Sequence, residues 1–257
     1  MSKYYFDDVY ADKASQLLDE PCSLADNDKV AACRVKLDDS NDWLALGDAL
    51  CTQMRCREAI DAYTKAVELS PTEIRGYRGR GGRYLAIGQP EKAKSDLLHC
   101  EQMGGEPLDL HYRIGLCEYL LGHYEAAIDR YEKARPLCED EMGIAVIYWH
   151  TLSCYRIGKP LTMLDQYHKG MEVGHHTAYE KAMQFCNDLI TETEFLTQLE
   201  SETDDMEYVI ALYGYCIRLQ HIGRMEEYQE MLNQLIARDK YWFCFSYLAA
   251  WSDSQKL

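Results

Sequence analysis

The sequence predicts an all-α protein assembled as a stack of antiparallel helix pairs, and three observations carry that expectation. The small residues Gly47, Gly81 and Gly115 recur at an interval of 34, a size that marks repeated helix-turn-helix units. Within each interval, apolar residues return every three or four positions, which places them on one face of a helix. Gly88 and Gly122 fall between the two apolar runs of their copies, where a residue without a Cβ can end a helix in the left-handed conformation. With 257 residues and 47% hydrophobic side chains, the chain has the apolar content of a folded protein rather than a disordered one.

The elements follow in order. Residues 1–39 read as an N-terminal helical segment with two short helices, near 8–19 and 24–37. The first regular copy (40–73) holds Trp43, Leu46, Gly47, Ala59, Tyr63 and Ala66, predicting helices over 41–53 and 57–69, and Pro71 then closes it. Met54 stands where later copies have a turn glycine, which predicts a looser turn. The second copy (74–107) repeats the pattern with Tyr77, Gly81, Tyr84, Gly88, Ala93 and Leu97. His111, Ile114, Gly115, Gly122, Ala127, Tyr131 and Ala134 repeat it in the third (108–141). Mid-helix glycine costs about 1 kcal/mol relative to alanine. Paying that at one fixed interval makes sense where two helices approach closely, with Ala59, Ala93 and Ala127 as the matching small surface. A fourth copy (144–173) keeps Gly158, Tyr167 and Gly170, with its interval stretched to 36. Residues 174–257 read as degenerate pairs: one over 177–201, one over 205–238 with Gly223 at its turn, and a closing aromatic helix over 240–251.

Composition narrows the function. The formal charge of −16, from 43 acidic and 27 basic residues, argues against general binding to nucleic acid or anionic membrane. No apolar run approaches the roughly 18–20 residues of a membrane span, and the opening MSKYYFDDVYADK lacks the profile of a secretory signal, so a cytoplasmic location is expected. The eleven cysteines are odd in number and never spaced as C-x-x-C, so they read as reduced thiols, not as disulfides or metal ligands. No catalytic constellation is present: RGRGGRY lies within a helix, and His175-His176 beside Gly174 reads as a turn. Neither an enzymatic activity nor a cofactor is expected.

The quoted residues resemble the tetratricopeptide repeat family. The stretch DWLALGDALCTQMRCREAIDAYTKAVELSP carries nearly all of that family's pattern, with Leu50 replacing a tyrosine, and the resemblance covers about residues 40–173. It weakens in the fourth copy, where Thr151 and Met163 replace smaller residues. The resemblance implies a right-handed superhelix whose first helices line a concave groove. By that register Arg75 and Arg78 face the groove, while Arg80 points inward toward Asp96. Tyr112 and Arg113 follow from the third copy, and Tyr148, Trp149 and Arg156 from the fourth. The chaperone-binding carboxylate clamp of the family is absent, because its places hold Leu44, Asp48, Gly79, Asp109 and Arg113.

A wall of arginine and aromatic side chains suits an acidic or C-terminal peptide. The expected function is therefore a non-enzymatic scaffold that binds a protein or peptide partner. The competing account makes these residues ordinary solvated side chains, balanced by Glu73, Asp109 and Glu118. A second class of function is self-assembly as a homodimer through Trp242, Phe243, Phe245 and Trp251, against a plain cap packed on the preceding pair. RNA reading and peptide-sensing transcriptional control are disfavoured by the acidic charge and by the lack of a helix-turn-helix or basic surface in 1–39.

Overall fold

The computed structural model describes residues 24–256, and the expected helix near 8–19 lies outside them. Among the described residues there are thirteen α-helices and no strand. They fall into two compact units, Met1–Cys117 and Glu118–Leu257. The boundary lies inside one helix.

The first unit contains α1 (Leu24–Arg34), α2 (Ser40–Thr52), α3 (Cys56–Leu69), α4 (Ile74–Ala86), α5 (Pro90–Gln102) and most of α6 (Pro107–Leu120). Asp39 starts α2 through a capping box, accepting from the amides of Asn41 and Asp42 while Asp42 accepts from the amide of Asp39. Glu73 accepts from the Arg75 amide at the start of α4, and Pro90 opens α5 where its missing N–H costs nothing. Gly88 takes the left-handed conformation at the α4–α5 turn. Met54 adopts the same conformation at φ 54°, so the α2–α3 turn is not loosened but is made by a side-chain-bearing residue.

The close approach inferred from the glycines is real. A Cβ on Gly47 would lie 2.6 Å from the Tyr63 ring, and one on Gly79 of the next pair would also lie 2.6 Å from it. The ring of Tyr63 is thus wedged between α2 and α4, and its hydroxyl donates to Asp48 Oδ1 at 2.7 Å. Around it Leu44, Leu46, Leu50, Ala59, Ala62 and Ala66 form a continuous core. Each buried leucine contributes about 2 kcal/mol.

The second unit contains α7 (Tyr124–Ala134), α8 (Asp140–Ile157), α9 (Thr177–Cys186), α10 (Glu192–Glu200), α11 (Asp205–His221), α12 (Met225–Ala237) and α13 (Phe245–Ser254). The pairs expected over 177–201 and 205–238 form as α9–α10 and α11–α12, with Gly223 left-handed at the second turn. The fourth copy departs from expectation because its second helix is missing. Gly158 ends α8 in the left-handed conformation, and Pro160 removes an amide and pushes Lys159 out of helical geometry. The chain then runs as a loop with one 3-10 turn, Leu164–Gln166, that buries Met163, Leu164, Tyr167, Met171 and Val173. Helices α7, α9 and α11 all pack on α8, so every residue of α8 from Gly143 to Tyr155 is buried.

The closing helix also shifts. It spans Phe245–Ser254 instead of 240–251, because the segment before it turns to bury Trp242 and then extends at Cys244.

Candidate functional site

The first helices of successive pairs carry the strongest constellation of charged side chains. Arg75 on α4 donates Nη2 to Asn41 Oδ1 on α2 at 2.8 Å and pairs with Glu73 at 3.2 Å. One turn later, Arg78 donates Nε and Nη2 to the two oxygens of Asp109 on α6, at 2.9 and 3.0 Å. Arg113, one turn beyond Asp109 on α6, donates Nε to its Oδ1 at 2.7 Å. A single carboxylate thus fixes two guanidinium groups from neighbouring helix pairs. Arg78 Nη1 and both Nη atoms of Arg113 make no hydrogen bond to other described residues. The group of three keeps a net charge of +1 within a strongly acidic protein.

Electrostatics lock the arrangement. Partial burial would raise the Asp109 carboxyl, yet Arg113 and Arg78 hold it below the usual carboxylate range. The hydrogen bonds to Asp109 in turn raise Arg78 against the opposing effect of burial. Beside the fork, Gly82 of α4 is buried, and a Cβ there would meet Arg113 Nη1 at 3.5 Å. Arg78 is half-exposed, and Tyr112 and Arg113 are partly covered.

Arg80 behaves as expected from its register. It points inward and donates Nε and Nη2 to Asp96 on α5, each at 2.8 Å, with Nη1 reaching Thr64 on α3 at 3.3 Å. That arginine ties two helix pairs together. It plays no part in the exposed face.

The fourth-copy residues require correction. Tyr148 and Trp149 are fully buried and cannot line a surface groove. The reason is the crowding of α8 by α7, α9 and α11: Trp149 packs edge-on against Tyr119 and Tyr148, and Tyr148 donates its hydroxyl to Ile210 O at 2.8 Å. Arg156 is likewise internal. It pairs with Asp253 of α13 and donates to the Tyr213 hydroxyl at 2.9 Å and to the Tyr119 hydroxyl at 3.3 Å. The sequence offers no signal for this, because Asp253 lies 97 residues away.

The aromatic tail is mostly interior as well. Trp242 and Tyr247 are fully buried, and Tyr247 donates to Ile236 O at 3.1 Å. Phe243, Phe245 and Trp251 are each partly covered. None of the tail aromatics is among the exposed large apolar residues of the described chain, and α13 packs on α11 and α12.

Two residues were missed by sequence reasoning. Asp109 stands at a place of the absent carboxylate clamp, and it organises the arginines. Asn41, which steadies Arg75, carries no motif. The spacing of Arg78 and Asp109, 31 residues apart, is close to one repeat and could have indicated the pairing.

Among the described residues, no helix is long and apolar enough to cross a membrane. No family model matches the chain. Over 68 residues it is 38% identical to a peroxisomal targeting signal receptor from Candida albicans (strain SC5314 / ATCC MYA-2876). That stretch is 26% of this chain and 12% of the receptor, so the chain spans a small part of that relative's length. Among solved structures it is similar to YrrB, described as a TPR protein with an unusual peptide-binding site, at 20% identity and a TM-score of 0.46, covering 88% of this chain and 97% of that one. The chain is an all-α protein of helix pairs whose repeats resemble those of tetratricopeptide repeat proteins.

Proposed function

We propose that this protein is a non-enzymatic interaction module that binds an acidic peptide segment of a partner protein on the face formed by α2, α4 and α6. The observation that carries the reading is the fork of Arg78 and Arg113 on Asp109. Its unused N–H groups suit a carboxylate, which guanidinium binds in two-point fashion. Partly covered Tyr112 adds rigid contact area. Because ion pairs already hold the arginines in place, little side-chain freedom is lost on binding. The receptor that matches over 68 residues is named for a targeting signal, which agrees with a role in reading short protein segments.

The test is selection of random peptides displayed on phage against the full chain, with enriched peptides remeasured on Arg78→Gln/Arg113→Gln. Acidic peptides should be enriched. Each lost charge-assisted hydrogen bond is worth about 1.5 kcal/mol, so the double variant should bind more than tenfold more weakly while keeping the helical circular dichroism of the parent at the assay temperature. Enrichment without acidic preference, or unchanged affinity in the variant, would remove the proposal.

A further inference from the structure

The sequence presents His175-His176 as a turn, and the fold brings a third donor to it. Glu141, in the first turn of α8, meets the loop that replaces the missing helix. His175 Nδ1 lies 2.7 Å from Glu141 Oε1, and His176 Nδ1 lies 2.5 Å from the Glu141 carbonyl oxygen. The same loop is tied to the start of α8 a second time, where the Glu172 amide donates to Asp140 Oδ2 at 3.3 Å. Gly174 permits the approach: it is left-handed at φ 55°, and a Cβ there would collide with the Glu141 carboxylate. Glu141, His175 and His176 each offer one ligand atom, and these atoms all lie within 4.8 Å of one another.

We infer that Glu141, His175 and His176 form a binding site for a divalent transition-metal ion of the zinc, nickel or cobalt class. A carbonyl can only accept, so His176 donates its Nδ1 proton to Glu141 O and leaves Nε2 as a bare lone pair. That is the arrangement by which a backbone carbonyl orients a metal-binding imidazole. Two imidazoles and a carboxylate favour these borderline ions over magnesium and calcium, which take oxygen ligands. Two ligands at about 2.1 Å from one ion stand at most about 4.2 Å apart, so the donors close on a metal with shifts of less than about 1 Å. Three protein ligands leave at least one position to water. A bound ion would clip the loop to the first turn of α8, and the −16 charge of the chain favours cation capture.

Cobalt(II) titrated into the full metal-free chain under reducing conditions tests the site, with zinc in competition. The expected result is one ion per chain, displaced by zinc, with visible ligand-field bands and no thiolate charge-transfer band. The latter matters because the ten described cysteines are all free. His176→Asn keeps a donor for the Glu141 carbonyl but removes the metal-facing nitrogen. It should weaken cobalt on the order of tenfold or more, while the metal-free melting temperature stays unchanged. Glu141→Gln should weaken cobalt in the same way. No cobalt uptake, a thiolate band, or equal affinity in His176→Asn would each overturn the assignment.

Discussion

Replacing Gly79 by alanine is the sharpest probe of how the repeats are packed. The new Cβ would sit 2.6, 2.7 and 2.9 Å from three atoms of the Tyr63 ring, against 3.4 Å for ordinary contact. Relief therefore needs a displacement of about 0.8 Å. The ring has no room for it: a Cβ on Gly47 would meet the same ring at 2.6 Å, and the hydroxyl is bonded to Asp48. Overpacking of this kind costs about 1–3 kcal/mol, while the gain from replacing a mid-helix glycine is about 1 kcal/mol. The net expectation is destabilisation of up to about 2 kcal/mol. Gly82→Ala is the matched control. It lies one turn away on the same helix, and its Cβ meets only Arg113 Nη1, at 3.5 Å. That variant should be neutral or up to about 1 kcal/mol more stable. Urea unfolding of both variants followed by circular dichroism gives the comparison. Equal stability of the two would refute the wedge.

Two further predictions concern the second unit. Burial pushes the His150 imidazole down to about 4, from the 6.5 of a free histidine. The folded state then binds fewer protons than the unfolded one below pH 6.5, so stability is full above 6.5 and falls until about pH 4. The loss should be about 2 kcal/mol between pH 7 and 5; the Glu132 carboxylate, 3.8 Å from Nε2, can only soften it. His150→Leu should flatten urea midpoints across that window, and a parallel decline in the variant would exclude His150 as the cause. Asp253→Ala leaves the Arg156 guanidinium buried with hydroxyl and amide partners but no counter-charge, and should cost about 3 kcal/mol. The apolar pair Arg156→Met/Asp253→Leu should recover most of that loss in the same urea assay. A double variant no more stable than the single one would show that the charges are not the issue.

The sequence made the regular repeats legible because each copy repeats the same packing problem. Gly47 and Tyr63, Gly81 and Ala93, and the turn glycines are local features whose meaning depends on neighbours within one interval. Arg80 with Asp96 was legible for the same reason. Tyr148, Trp149 and Arg156 were misplaced because their environment is decided by helices up to about a hundred residues away. Family register puts them on a groove only if a regular second helix follows α8, and Pro160 breaks that helix. Met54 was misread in a smaller way: methionine has no turn preference, yet the short connection forces it to φ 54°. Asp109 shows the limit of scoring charges singly, since a carboxylate that repels an anion in isolation can hold two arginines in place to receive one.

Amide hydrogen exchange of the full chain with and without a selected acidic peptide tests the binding face most directly. Added protection should fall on α4 and on residues 107–117 of α6, and it should be lost when Arg78 and Arg113 are both glutamine. Protection confined to residues 118–256, or retained in that variant, would contradict the account.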